Sequence, residues 1–148
     1  MSRIRRILHP SDFSRASGAA FTRAVEMAKL NRAELLVLNV FAPFIPMGGD
    51  GYVSPTVYEE IETSARAQAQ KQLNVLVTKA KKAGVRVKSV LAEGVPHEQI
   101  TRAARSKRAD LVVIGTHGRT GLAKFFLGSV AGRVVSLARC PVLTVRGK

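Results

Sequence analysis

The amino-acid sequence predicts an α/β fold built on a doubly wound, Rossmann-like parallel sheet. Strand-like and helix-like segments alternate along the 148 residues, and this alternation is typical of a parallel sheet with helices on both faces. Two strand candidates, 34–40 and 110–115, are almost continuous apolar runs, as expected of strands that are covered on both sides. The length corresponds to one domain. We therefore expect a single domain over residues 1–148 with a five-stranded sheet.

The beginning of the chain predicts a strand, a helix and a second strand. Residues 4–8 form a short apolar strand candidate that closes at His9 and Pro10. Residues 14–30 carry apolar side chains at helical spacing, and Ser14 stands where an N-cap is expected. The apolar run at 34–40 then predicts the second strand.

A loop rich in proline and glycine follows at 41–55, and loops of this length in compact domains are usually functional or mobile. A long helix is predicted at 56–82, where Thr56 and Glu59 have capping-box spacing. The remaining predicted elements are a strand at 85–91, a helix at 96–108, a strand at 110–115, a helix at 128–138 and a strand at 141–145.

Charge is the unusual feature of the composition. The chain has 24 basic and 10 acidic residues, for a net charge of +14, and its last third is strongly basic. Such a field attracts nucleotides, nucleic acid or acidic partners, although a basic composition alone does not make a site. Aromatic residues make up only 5%, which is poor for stacking on the bases of nucleic acid. A nucleic-acid-binding function is therefore an alternative rather than the favoured one.

Cysteine content and hydropathy indicate the compartment. The single cysteine, Cys140, excludes an internal disulfide framework. No apolar run approaches the ~20 residues of a membrane helix, and the basic N-terminus lacks the apolar stretch of a secretory signal. We expect a cytoplasmic protein without membrane contact.

A glycine-rich segment follows the fourth predicted strand and ends where the last helix begins. Gly115 and Gly118 would let the backbone approach a phosphate, because neither has a Cβ. Gly128 and Ser129 would add N–H groups, a hydroxyl and the positive end of a helix dipole, and Arg119 would add charge. The segment is not a Walker A loop, since the chain contains no Gly-Lys-Ser or Gly-Lys-Thr. A glycine turn that only allows close packing of helix on strand is the alternative.

The spacing Gly115-x2-Gly118-x9-Gly128-Ser129 resembles that of the ATP-binding universal stress proteins. Three further segments, 7–14, 94–100 and 140–145, are similar to the first strand and turn, the start of the third helix and the closing strand of that family. The resemblance therefore covers nearly the whole chain. It implies the strand order 3-2-1-4-5, in which the first and fourth strands are neighbours and ligands bind where their connections diverge.

The resemblance also implies roles for individual residues. The glycine segment would hold the triphosphate, and the backbone of Val40 would contact adenine. Asp12 would contact ribose, or Mg²⁺ held mainly by phosphate oxygens. The candidate binding residues are Pro10, Ser11, Asp12, Val40, Gly115, Thr116, Gly118, Arg119, Gly128, Ser129 and Val130.

The favoured function is that of a nucleotide-responsive regulatory protein in stress responses that binds ATP and Mg²⁺. A slow ATPase or a nucleotidyl-transfer enzyme is the alternative, but no carboxylate is an obvious general base and the His-x-Gly-His motif of related transferases is absent. We therefore expect weak hydrolysis at most. A homodimer through the edge strand Pro141–Val145 is also expected, because exposed apolar strand edges are normally paired or covered.

Overall fold

The structure is a computed structural model that describes residues 3–42, 54–117 and 127–147. These residues form five strands and four helices in strict alternation: β1 (Arg6–Pro10), α1 (Arg15–Asn31), β2 (Glu34–Phe41), α2 (Pro55–Lys82), β3 (Val87–Glu93), α3 (Pro96–Ser106), β4 (Leu111–Gly115), α4 (Ser129–Leu137) and β5 (Val142–Val145). Every strand pairing is parallel, and the order across the sheet is β3-β2-β1-β4-β5. The predicted fold class and strand order are confirmed.

Helices cover both faces of the sheet, and each face has its own core. Ile7 and Leu8 are neighbours on β1 and neither has exposed surface, yet they pack into different cores. Ile7 joins the core beneath α1 and α2, whereas Leu8 joins the core beneath α3 and α4. Because alternate side chains of a strand point to opposite faces, burial of both faces requires apolar residues at every position. This explains the continuous apolar runs of β2 and β4.

Strands β1 and β3 each lie two residues further along the chain than predicted, and α2 begins one residue earlier. β1 runs from Arg6 to Pro10 rather than over 4–8, because it pairs with β2 from the Arg6–Glu34 position onwards. The capping box at Thr56 does not form. Helix α2 begins at Pro55, and the hydroxyl of Ser54 accepts a hydrogen bond of 3.2 Å from the Val57 amide. Proline suits the first helical position, because its missing N–H would have no partner there.

Helix α3 ends at Ser106 rather than at Arg108. Arg108 has a φ of +55°, in the left-handed region, so it cannot continue the helix.

Within the described segments, no helix combines the length and the apolar character needed to span a membrane.

Candidate functional site

A crevice opens where β1 and β4 part at their carboxyl ends. The two strands pair only at Ile7–Leu111 and Leu8–Val112, whereas β1 stays paired with β2 as far as Pro10. Beyond β1 the chain turns into α1 on one face of the sheet, and beyond β4 it leads to α4 on the other face. This divergence is the topological switch point of a doubly wound sheet, where ligands bind.

The crevice contains a cavity of about 320 Å³. It brings together nine of the eleven predicted site residues from four separate stretches of the chain. These residues are Pro10, Ser11, Asp12, Val40, Gly115, Thr116, Gly128, Ser129 and Val130. The other two, Gly118 and Arg119, lie outside the described residues, as does most of the 41–55 loop.

Hydrogen bonds hold the turn between β1 and α1 in place. The Ser11 amide donates to the Leu38 carbonyl at 2.8 Å, and the Asn39 side-chain amide donates to the Ser11 carbonyl at 2.8 Å. The Asp12 carboxylate accepts the Ser14 amide at 2.9 Å, an Asx-type bond across the turn. Phe13, between Asp12 and Ser14 in the turn, has a φ of +62°, in the left-handed region. The turn therefore presents Asp12 to the cavity in a defined position.

The start of α4 supplies backbone donors to the same cavity. The first hydrogen bond of this helix runs from the Gly132 amide to the Gly128 carbonyl, so the amides of Ser129, Val130 and Ala131 have no acceptor within the helix. All three residues line the cavity. Unpaired amides and the helix dipole give this end a partial positive charge, which favours a bound anion.

Thr116 connects the end of β4 to the start of α4. Its amide donates to the Val145 carbonyl at 2.9 Å, and its carbonyl accepts the Gly128 amide. Thr116 is one of the residues that line the cavity, and its hydroxyl oxygen is buried without a hydrogen-bond partner among the described atoms. Buried hydroxyls are normally paired. The Thr116 hydroxyl is therefore suited to bind a polar group of a ligand.

Seven residues that line the cavity were not among the predicted site residues. They are Ser17, Leu38, Pro96, Ile100, Ile114, His117 and Ala131. Pro96 and Ile100 are four residues apart and share one face of α3, but no local pattern indicates that this face reaches the crevice. Together with Leu38 and Ile114 they give the cavity an apolar part of its lining, which suits a flat ring rather than a phosphate.

His9 lies directly behind the crevice and joins the two strands where their ladder has ended. Its side chain has no exposed surface, and its Nδ1 is 2.9 Å from the Val113 carbonyl of β4. The other ring nitrogen, Nε2, is buried without a hydrogen-bond partner among the described atoms. Burial lowers the pKa of His9 to about 4. The imidazole is therefore neutral at pH 7, with its proton on Nδ1.

Comparisons of sequence relate the chain to known proteins. The chain matches the universal stress protein family model over residues 3–146. It is 36% identical to universal stress protein MJ0531 of Methanocaldococcus jannaschii, with 96% of this chain and 82% of that protein covered. It is 34% identical to universal stress protein YxiE of Bacillus subtilis, with coverage of 91% and 94%.

Solved structures share the fold over nearly the whole chain. Universal stress protein UspA from Lactobacillus plantarum superposes with a TM-score of 0.83 at 28% identity, covering 99% of this chain and 100% of that one. A universal stress protein in complex with cAMP has a TM-score of 0.75 at 24% identity, with coverage of 99% and 100%. A family member from Arabidopsis thaliana with AMP bound has a TM-score of 0.70 at 23% identity, with coverage of 97% and 92%. The chain belongs to the universal stress protein family.

Proposed function

We propose that the chain binds ATP in the crevice between β1 and β4 and acts as a nucleotide-responsive regulatory protein in stress responses. The observation that carries the proposal is the mixed lining of the cavity. The lining combines amides at the start of α4 that have no acceptor within the helix with a set of apolar side chains. An adenine nucleotide has the matching halves, a polyanion and a flat ring system.

In the proposed complex the phosphates lie at the start of α4. Phosphate oxygens accept hydrogen bonds from the amides of Ser129, Val130 and Ala131 and from the hydroxyls of Ser129 and Thr116. The unpartnered Thr116 hydroxyl would thereby gain an acceptor. The base lies against the apolar lining residues, and the backbone of Val40, near the end of β2, contacts the edge of adenine. Asp12 contacts ribose hydroxyls, or the metal described below.

The glycine at position 115 supports a ligand rather than a packing requirement. A Cβ added there would lie 3.6 Å from the carbonyl oxygen of Ala16 and from the Cα of Ser17, which is ordinary van der Waals contact. The described residues would therefore accept alanine at this position. A close approach of phosphate to the backbone is a physical reason for glycine there.

The residues present are compatible with Mg²⁺ bound together with the nucleotide. Among the described residues, no three His, Cys, Asp or Glu side chains are grouped as a metal site. Mg²⁺ in nucleotide sites often uses one or two carboxylates, with phosphate oxygens and water as the other ligands, and Asp12 lines this cavity. When bound, Mg²⁺ would neutralise phosphate charge.

Relatives indicate the class of ligand. Two of the solved family members hold adenine nucleotides, cAMP in one and AMP in the other. Both ligands share the adenosine and a phosphate with ATP, and the glycine spacing of this chain resembles the branch of the family that binds ATP. We therefore assign the cavity to ATP.

The cavity favours binding over catalysis. The ionisable side chains among its described lining residues are Asp12 and His117. Asp12 already accepts the Ser14 amide, and the proposed complex gives it ribose or metal. Donors that bind substrate and transition state equally do not accelerate a reaction.

Binding and turnover measured on the same preparation test this function. We expect calorimetry to show ATP binding, and a phosphate-release assay to show turnover far below the ~1–10³ s⁻¹ of ordinary enzymes. Absence of ATP binding would contradict the proposal. Turnover near 1 s⁻¹ that disappears in Asp12→Asn or His117→Ala would instead identify the alternative, an ATPase.

We also propose a homodimer in which β5 pairs with its copy about a two-fold axis. β5 is the last strand of the sheet. The carbonyls of Pro141 and Val145 accept hydrogen bonds from β4, so the alternate residues Val142 and Thr144 direct their backbone groups away from β4. These outward groups form an edge that an identical strand can pair with.

Replacement of Thr144 by proline is expected to convert the dimer to a monomer. The change removes an outward N–H and leaves the ladder to β4 unbroken, since proline is tolerated on strand edges where the N–H faces outward. Analytical ultracentrifugation at tens of micromolar measures the state, and Thr144→Val, which keeps the amide, is the control. A wild-type chain that sediments as a monomer would disprove the proposed dimer.

A further inference from the structure

The positive charge of this protein is concentrated at one edge of its sheet. We call this the amino edge: segments 3–6, 29–34, 79–88, 105–110 and 138–141, where helices end and parallel strands begin. These five segments contain fourteen of the 24 basic residues and two of the ten acidic ones. The remainder of the chain is nearly neutral. The amino edge therefore carries most of the net charge, on the opposite side of the molecule from the cavity.

This charge is exposed and poorly compensated. All fourteen basic residues are exposed. Among the ion pairs of the described residues, the one at this edge joins Lys88 to Glu34 at 3.6 Å. The other acidic residue, Asp110, uses its carboxylate to accept the backbone amides of Arg5 and Arg6 at 2.8 and 3.0 Å. Two acids against fourteen cations leave the amino edge strongly positive.

The basic side chains form one continuous surface. The Arg86 guanidinium donates to the Arg32 carbonyl at 3.2 Å, which joins the starts of β2 and β3. Arg108 lines two adjoining surface recesses. One recess also contains Arg6 and Lys107, and the other also contains Arg139. Segments distant in sequence thus meet at one surface, which no local charge pattern indicates.

Two arginines of this surface occupy backbone positions that favour glycine. Arg32 after α1 and Arg108 after α3 have φ values of +52° and +55°, whereas α2 is followed by a glycine, Gly84, with a φ of +87°. Left-handed backbone is unfavourable for residues with a Cβ, and glycine is the usual residue there. Cations do stabilise helix C-termini, but Arg5 and Arg86 precede strands and have no such role. The pattern indicates that the charge itself is required.

We propose that the amino edge binds the phosphate backbone of double-stranded nucleic acid. Arginine outnumbers lysine at this edge, and its planar guanidinium binds phosphate oxygens in pairs. None of the aromatic rings in the described parts of the chain lies in the five segments, so unpaired bases have nothing to stack on. Phosphate contacts without base contacts give binding that is independent of sequence.

An anionic membrane is the less favoured occupant. Peripheral membrane binding needs an apolar face beside the cations. In the described residues, the large apolar side chains exposed at or beside this edge are the isolated Leu30 and Leu137. The proposal is independent of the ATP site, because the two surfaces lie at opposite ends of the strands.

The sharpest test is the double variant Arg32→Gly, Arg108→Gly. It removes two charges while giving both positions the residue that their backbone favours, so the melting temperature should stay unchanged or rise. Fluorescence anisotropy with 20-base-pair duplex DNA and duplex RNA measures binding. Wild type should bind both duplexes, more weakly as salt increases. The variant should bind roughly 10- to 60-fold more weakly at 0.1 M salt. The slope of the logarithm of its affinity against the logarithm of salt concentration should be shallower by about 2, because each lost phosphate contact reduces this slope by ~0.9.

The matched control is Lys71→Gln, Arg133→Gln. Both residues are exposed and lie outside the amino edge, and the two substitutions remove the same formal charge as the test variant. This control should bind duplex within a few-fold of wild type. Equal weakening in both double variants would show only an effect of net charge and would overturn the proposed surface. Absence of duplex binding at 50 mM salt would also overturn it, as would tighter binding to vesicles of phosphatidylcholine and phosphatidylserine than to either duplex.

Discussion

Replacement of Ser129 by proline is expected to weaken ATP binding about 100-fold or more without unfolding the protein. Ser129 is the first residue of α4, a position that proline favours because its amide has no acceptor in the helix. The preceding Gly128 has φ −59° and ψ 158°, the extended conformation required before proline. The change therefore removes the amide and the hydroxyl together. Each is proposed to donate to phosphate, and a hydrogen bond to a charged group contributes ~1.5–3 kcal/mol.

Ser129→Ala separates the two donors. It removes the hydroxyl and keeps the amide, so the expected loss of affinity is smaller, roughly 10- to 150-fold. Calorimetry gives the affinities, and circular dichroism with the melting temperature checks the fold. If Ser129→Pro remains folded and binds ATP like wild type, the phosphates do not lie at the start of α4.

Acidification from pH 7 to pH 4 is expected to destabilise the fold through His9 by about 3 kcal/mol. The pKa of His9 is about 4 in the folded protein, because burial opposes its charged form, whereas the pKa of an ordinary histidine is 6.5. Below pH 6.5 the unfolded chain binds a proton that the folded chain does not bind. The contribution of neutral His9 is therefore complete above pH 6.5 and is lost as the pH falls towards 4.

The variant His9→Gln isolates this contribution. Glutamine does not titrate, and its amide can still donate to the Val113 carbonyl that now accepts from Nδ1. Urea unfolding gives the free energy of unfolding of both proteins between pH 7 and pH 4. Relative to the variant, and compared with pH 7, the wild type should lose ~2 kcal/mol at pH 5 and ~3 kcal/mol at pH 4. Parallel curves for the two proteins would contradict the assignment, and NMR titration of the His9 ring would measure its pKa directly.

Much of the fold can be read from local patterns. The continuous apolar runs of β2 and β4 predict strands buried on both faces, and Ser14 is confirmed as the cap of α1, where it accepts the Ser17 amide. Such features depend on neighbours a few residues away, so the sequence contains them directly. The glycine spacing from Gly115 to Ser129 likewise indicates the segment that leads to the cavity, because the end of a strand and the start of a helix are local features.

Other properties exist only once the sheet has formed. Pro96 and Ile100 reach the cavity because α3 crosses the sheet beside β2, and His9 becomes a buried link to Val113 because the strands on which they lie pair across a separation of 104 residues. The basic residues are dispersed along the chain, and they meet because parallel pairing brings every strand start to one edge. A parallel sheet joins residues that are distant in sequence. The identity of the cavity wall and the position of the charge therefore depend on strand order, which local periodicity does not encode.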